Sequence, residues 1–276
     1  TIGWRMQRRP RGRSVRRGSG IVMLIALLAD IHANREALTA CLADAENAKV
    51  DRYIFLGDLV GYGADPDWVV DRIATMVEAG AVVVRGNHDA AVADPSEGMM
   101  AEALVAISWT RSRLDDPQKI FLANLPLTVE EGDRLFVHAS ACAPDTWIYV
   151  SSAREAEQSL MATNCRLTFC GHTHSPALFH ATAMTPAQHH LPAEGRPTPL
   201  LAQRRWLAVL GSVGQPRDNN PAACYGLFDD VRNRLTYVRV PYDADLAARK
   251  IRAVGLPEIL AVRLTLVSPN VTYPKA

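Results

Sequence analysis

An α/β fold with buried, at least partly parallel strands is what this sequence predicts, and three observations carry the prediction. Six short apolar runs each end in glycine, a carboxylate, an amide or an imidazole. Helical patterns separate the first three of these runs, giving a strand, helix, strand, helix, strand alternation. The length of 276 residues, with 48% hydrophobic and 21% charged, is enough for one large core and one domain, or at most two.

The elements follow in order. Leu24 to Ala29 is the first run and leads into Asp30-Ile31-His32. Asn34 then caps a helix whose apolar positions Ala37, Leu38, Cys41, Leu42, Ala45 and Ala48 keep the 3.6-residue period. Tyr53 to Leu56 leads into Gly57-Asp58. Asp65-Pro66 supplies an N-cap and first turn ahead of Val69, Val70, Ile73, Met76 and Val77, with Gly80 at the C′ position. Ala81 to Arg85 leads into Gly86-Asn87-His88-Asp89. Residues 97–124 read as a helical insert, with Met100, Leu104, Ile107 and Trp109 in one amphipathic stretch and Ile120, Phe121 and Leu122 after Asp116-Pro117. Leu135 to Val137 leads into His138, Leu167 to Cys170 into Gly171-His172-Thr173-His174, and Trp206 to Leu210 into Gly211-Ser212-Val213-Gly214. The Pro-, Ala- and Gln-rich stretch 180–205 reads as a long loop or loose hairpin, and 243–265 as a helical C-terminus.

Composition narrows the class. The longest apolar run, Ile21 to Ala29, has nine residues where a membrane span needs about 20, so no membrane partner is expected. The five cysteines are scattered without a C-x-x-C pair, which argues against a disulfide framework and fits a reducing cytoplasmic setting. Net charge is +1, yet residues 1–20 hold seven arginines and no acid. Subtracting those seven from 30 leaves 23 basic residues against 29 acidic ones, so the body is acidic and offers no nucleic-acid-binding face. Residues 1–20 are expected to be a basic, unstructured extension, the only part suited to nucleic acid or anionic lipid, and 21–276 the folded domain. A twin-arginine export signal at Arg16-Arg17 is the sharper alternative, but cleavage after Ala29 would remove the strand that leads into Asp30. Met23 stands where a strand-opening start codon would, so the residues before it are expected to be dispensable.

In an open α/β sheet, ligands bind beyond the carboxyl ends of the strands, where loops converge. That edge collects Asp30, His32, Asp58, Asn87, His88, His138, His172 and His174, including five of the eight histidines. Carboxylates mixed with neutral imidazoles suit two borderline divalent ions, Mn, Fe, Zn, Ni or Co, with manganese the leading candidate. Both carboxylate oxygens of Asp58 can bridge two ions. His172 and His174 can serve one ion each.

Asp30-Ile31-His32, Gly57-Asp58, Gly86-Asn87-His88-Asp89, His138 and Gly171-His172-Thr173-His174 together resemble the five ordered motifs of the calcineurin-like metallophosphoesterases. The resemblance spans about residues 23–240. Gly61 to Pro66 and Gly211 to Asp218 are similar to the compact bacterial and archaeal subgroup grouped loosely with dinucleoside tetraphosphatases. It implies a four-layer α/β/β/α sandwich. It also implies Asp30, His32, Asp58 and His174 around a first ion, and Asp58, Asn87, His138 and His172 around a second. The implied activity is hydrolysis of a phosphomonoester, phosphodiester or nucleotide by an activated hydroxide, with His88 as the general acid.

The chain departs from the eukaryotic phosphatases of that family, which place an Asp and an Arg where Gly61 and Tyr62 stand here. A carboxylate to orient His88 is then sought in Asp65 or Asp89, and a phosphate-binding cation in Arg217. Ser140 and Cys142 follow His138, but a metal-bound imidazole cannot serve as their base. His189-His190 is expected in a solvated loop, and Trp68, Trp109 and Trp147 as packing residues. Two alternatives stand beside general phosphoester hydrolysis: a non-catalytic binding module on the same fold, and the narrower assignment of a dinucleoside polyphosphate hydrolase.

Overall fold

In this computed structural model, which describes residues 23–94 and 99–265, the first apolar run forms β1 (Leu24–Leu28) and the Asn34-capped segment forms α1 (Arg35–Asn47). Asn34 accepts a hydrogen bond from the Ala37 amide, as its cap position requires. Next come β2 (Arg52–Phe55), α2 (Pro66–Glu78) and the short β3 (Val82–Val83). Asp65 occupies the N-cap of α2 without capping it. Its carboxylate accepts instead from Lys250 Nζ at 2.8 Å, because that cation is within reach and outcompetes a backbone amide.

α3 (Asn87–Ala93) follows β3, and the insert is α4 (Ala101–Arg113) and α5 (Asp116–Ala123). The second half of the chain runs β4 (Thr128–Glu131), β5 (Arg134–Val137), α6 (Ala153–Met161), β6 (Leu167–Cys170), β7 (Ala177–Thr182), β8 (Thr185–His190), β9 (Thr198–Pro199), β10 (Arg205–Val209), β11 (Ala223–Asp229) and β12 (Arg234–Val240). It closes with α7 (Ala244–Ala253) and α8 (Glu258–Thr265).

Two mixed six-stranded sheets result, in the orders β3-β2-β1-β11-β12-β9 and β4-β5-β6-β10-β7-β8. β1, β2 and β3 are parallel, as are β5, β6 and β10. The period-2 alternation of β1 shows how the sheets stack. Ala26 and Leu28 join the core shared with α1 and α2, while Ile25 and Leu27 join the core between the sheets. A strand buried on both faces is apolar throughout, which is why it reads as a continuous run. Phe136 and Phe169 stack at 5.8 Å in the inter-sheet layer, and Leu135, Val137, Ala156 and Leu160 fill the layer under α6. The expected α/β/β/α sandwich is present.

Some expectations need correcting. The start of the 180–205 stretch takes the hairpin alternative, β7 with β8, with a register shift between His180 and Thr182, and what needs correcting is that His189 and His190 lie on a strand and not in a loop. β11 and β12 were not expected from the sequence. They are antiparallel, β12 carries polar residues on partly exposed positions, and neither ends in a glycine-imidazole or glycine-carboxylate step. On α4 the buried positions are Ala103, Ala106, Ile107 and Thr110, whereas Met100 and Leu104 are exposed. Ala103 and Ala106 pack in one cluster with Tyr62 and with Ala247, Ile251 and Leu260 of the C-terminal helices. The arginine-rich extension and the Arg16-Arg17 signal reading lie outside the described residues.

Among the described residues, no helix is long and apolar enough to cross a membrane. All five cysteines are free, and only Cys142 is exposed.

Candidate metal centre

Every expected ligand lies at a strand's carboxyl end or in the loop that follows. Asp30 and His32 follow β1, Asp58 follows β2, Asn87 and His88 open α3 after β3, His138 follows β5, and His172 and His174 follow β6. Five of these residues hold left-handed backbone: Asp30 (φ 55°), His32 (49°), Asp58 (52°), His172 (69°) and His174 (59°). Such angles are uncommon for non-glycine residues, though Asp, Asn and His tolerate them best, and they concentrate at functional sites. Each reversal turns a side chain back over the sheet edge.

Asp30, His32, Asp58 and His174 bring one donor atom each within 4.8 Å of one another, and Asp58, His138 and His172 do the same. Asp58 belongs to both groups. Its Oδ1 accepts from the His88 amide at 2.9 Å, while its Oδ2 lies 3.5 Å from both His32 Nε2 and His138 Nε2. Oδ2 is thus the Asp58 oxygen that faces both donor groups, while Oδ1 also receives an amide. Asp30 is aimed the same way, with both oxygens accepting from the His172 amide. Asn87 Oδ1 joins the second group, 3.2 Å from His138 Nε2.

The donor chemistry fits divalent cations. His32, His138 and His174 each turn Nδ1 to a backbone carbonyl, of Val60 (3.2 Å), Leu56 (2.7 Å) and Gln215 (2.6 Å). A neutral ring carries one proton, so these contacts place it on Nδ1 and leave the Nε2 lone pair facing inward. His32 Nε2 then meets His174 Nε2 at 3.0 Å, and His138 Nε2 meets His172 Nδ1 at 3.1 Å. Lone pairs and carboxylates converging at such distances repel unless a cation lies among them.

Burial acts oppositely on the two donor types, holding the imidazoles in their ligating neutral form and disfavouring the carboxylate charge that a bound cation would have to restore. It pushes the carboxyl of Asp30 well up, reinforced by Asp58, and raises Asp58 to about 7. It also drives His32, His172 and His174 far below the usual imidazole range and His138 to about 4. Neutral imidazole is the ligating form.

His88 is 3% exposed, and burial together with Arg217 lowers it to about 3. Its ring is wedged against Tyr62 at 4.5 Å and His32 at 4.8 Å. Nδ1 is buried without a hydrogen-bond partner. Neither carboxylate proposed to orient it does so. Asp65 serves Lys250, and Asp89 accepts from the amides of Gly86 (2.9 Å), Leu59 (2.9 Å) and Val60 (3.3 Å), locking the Asp58 loop to the start of α3. Gly61 explains the departure from the phosphatase pattern: a Cβ there would lie 2.3 Å from His88 Nδ1, so no side chain fits.

Arg217 lines the same cavity as Asp58, Asn87 and His172. It donates to Gln215 Oε1 at 3.2 Å and Tyr62 Oη at 3.5 Å. Trp147, expected to pack inside, lines this cavity instead, as do Tyr62 and Tyr149. Their only signal in the sequence is proximity to His138 and Asp58, too weak to find them.

Comparison with known proteins agrees with this geometry. The model of the calcineurin-like phosphoesterase superfamily domain matches residues 23–232. An uncharacterized protein of Methanocaldococcus jannaschii is 34% identical over 249 residues, 88% of this chain and 98% of its own. A metallophosphoesterase structure from Sphaerobacter thermophilus is similar with a TM-score of 0.77 and 32% identity, over 90% of this chain and 100% of that one. A hypothetical protein from Pyrococcus horikoshii shares the fold with a TM-score of 0.72 at 21% identity, over 88% and 97% of the two chains.

Proposed function

The chain belongs to the calcineurin-like phosphoesterase superfamily, and from that premise we propose that it hydrolyses a small phosphate ester with the help of two divalent ions. The position of Asp58 Oδ2, equidistant from His32 Nε2 and His138 Nε2, carries this reading, since a single oxygen set between two donor groups suits a shared ligand. Asp30, His32, Asp58 and His174 would hold one ion, and Asp58, Asn87, His138 and His172 the other. When bound, such ions supply Lewis acidity, lowering the pKa of water and neutralising charge on phosphoryl oxygens.

The chain's own groups do the rest. With Nδ1 turned against Gly61, His88 has Nε2 available to pass a proton to the leaving oxygen. An anionic phosphate entering the cavity opposes the burial that keeps this ring neutral, because charge of opposite sign favours the imidazolium. Arg217 is placed to meet a phosphate oxygen, and Arg217→Ala should raise KM about tenfold; an unchanged KM would remove it from substrate binding. We read residues 21–276 as a single domain. A cytoplasmic location is supported by the five free cysteines.

The test is a hydrolysis screen supplemented with Mn, Fe, Zn, Ni or Co, over p-nitrophenyl phosphate, its bis-ester, cyclic nucleotides and dinucleoside polyphosphates. His88→Ala should keep its metal and lose turnover by about 10²–10⁴-fold. A protein that binds metal yet hydrolyses none of these would favour the non-catalytic module.

A further inference from the structure

Part of the cavity wall beside the donor cluster is aromatic and apolar, and it is carried by a stretch of strained backbone. Residues 143–149 form a tight turn in which Ala143 (φ 51°) and Trp147 (φ 57°) are both left-handed. A bulky residue held at that angle is a genuine outlier, of the kind that collects at ligand sites. The turn brings the Trp147 ring to 5.9 Å from His138 and lays the Tyr149 ring nearly parallel to His172, 4.0 Å away. Met99, Met100 and Ala103 line the cavity as well. Tyr149 is 47% exposed and Met100 64%, so this apolar surface lies open beside a cluster of polar donors.

The cavity holds about 270 Å³, just below the roughly 300–1,000 Å³ of sites that enclose drug-sized ligands. That is room for one phosphate and one modest substituent. Among the described residues lining it, Arg217 is the one side chain with a permanent positive charge. The part of a four-phosphate run beyond reach of the two proposed ions and Arg217 would meet no further fixed cation among the described residues lining the cavity and would extend into solvent.

Resting on the phosphoesterase reading above, we propose that the substrate is a compact phosphate ester bearing a single flat aromatic or apolar group, selected by Trp147 and Tyr149, and that longer phosphate chains gain nothing here. Trp147 and Tyr149 are the specificity-determining residues. Stacking on them favours a planar substituent over a small alkyl one of equal charge.

Phosphonates test this without involving a leaving group. Calorimetric titration of the manganese-loaded protein should find phenylphosphonate about tenfold tighter than methylphosphonate. Trp147→Ala should cut that ratio at least threefold, Trp147→Phe should preserve it, and adenosine monophosphate should bind within about tenfold of diadenosine tetraphosphate. Equal affinities for the two phosphonates, a ratio unmoved in Trp147→Ala, or a tetraphosphate bound more than about tenfold tighter than the monophosphate would each overturn the proposal. Selective phenylphosphonate binding without turnover of any ester would sustain the specificity and refute the hydrolytic reading. Turnover without selectivity would do the reverse.

Discussion

Replacing Gly61 with alanine tests whether the packing of His88 matters to the reaction. Gly61 has φ +86°, and an added Cβ would stand 2.3 Å from His88 Nδ1, 3.1 Å from Cγ and 3.3 Å from Cε1. Ordinary contact begins near 3.4 Å, so the imidazole must retreat by about 1.1 Å or the loop must give. The ring has little freedom to retreat, with Tyr62 at 4.5 Å and His32 at 4.8 Å. A reacting group misplaced by about 1 Å loses about 10²-fold in rate, and a left-handed alanine adds roughly 1–2 kcal/mol of destabilisation. Gly61→Ala should therefore lower kcat about 100-fold while elemental analysis finds its metal content unchanged. The double variant Gly61→Ala with His88→Ala should be no slower than His88→Ala alone, because the collision disappears with the ring. Steady-state kinetics on bis-p-nitrophenyl phosphate, together with inductively coupled plasma analysis, read both quantities. If Gly61→Ala turns over at the parent rate, the placement of His88 has no part in catalysis.

Three more predictions concern the frame of the site. His174→Ala should reduce bound metal by one ion and Asp58→Ala by two, since Asp58 alone belongs to both donor groups; equal losses in the two variants would contradict a shared carboxylate. Asp89→Ala strands three amides that its carboxylate now satisfies, and urea denaturation should show a loss of about 3 kcal/mol or more; a loss under about 1 kcal/mol would mean that water replaces it. Lys250 Nζ meets Glu36 at 2.5 Å and Asp65 at 2.8 Å, and these partners raise its pKa over the opposing effect of burial. A cation whose folded pKa exceeds its unfolded value contributes stability in full below about pH 10.4 and loses it as pH rises through the folded pKa. Lys250→Met should accordingly lower stability by about 1–2 kcal/mol at pH 7, and the gap to the parent should narrow only in strongly alkaline solution; a gap already closed at pH 8 would assign the stabilisation to another group.

What the sequence determined by itself is the six parallel strands β1, β2, β3, β5, β6 and β10 and the candidate donors gathered at their ends. Both are legible for one reason: a parallel strand buried on two faces must be apolar throughout, and the residue at which it ends must be the residue that turns over the sheet edge. Leu24 to Ala29 followed by Asp30 and His32 states both facts in nine letters. The antiparallel β12 obeys a weaker rule, with one face partly wet, whereas β11 is buried over Ala223–Gly226, and neither strand ends in one of the expected metal ligands.

Tertiary structure alone decided which partners the donors face. Asp65 and Asp89 were equally plausible supports for His88 until packing gave the first to Lys250 and the second to three amides. Trp147 and Tyr149 became cavity wall only because a left-handed turn after Ala143 swings them toward His138 and His172. Residue type and spacing fix which atoms can bind a cation, since that is a property of each side chain and its strand. The atoms surrounding them are set by contacts between segments tens to hundreds of residues apart, and no local pattern encodes those.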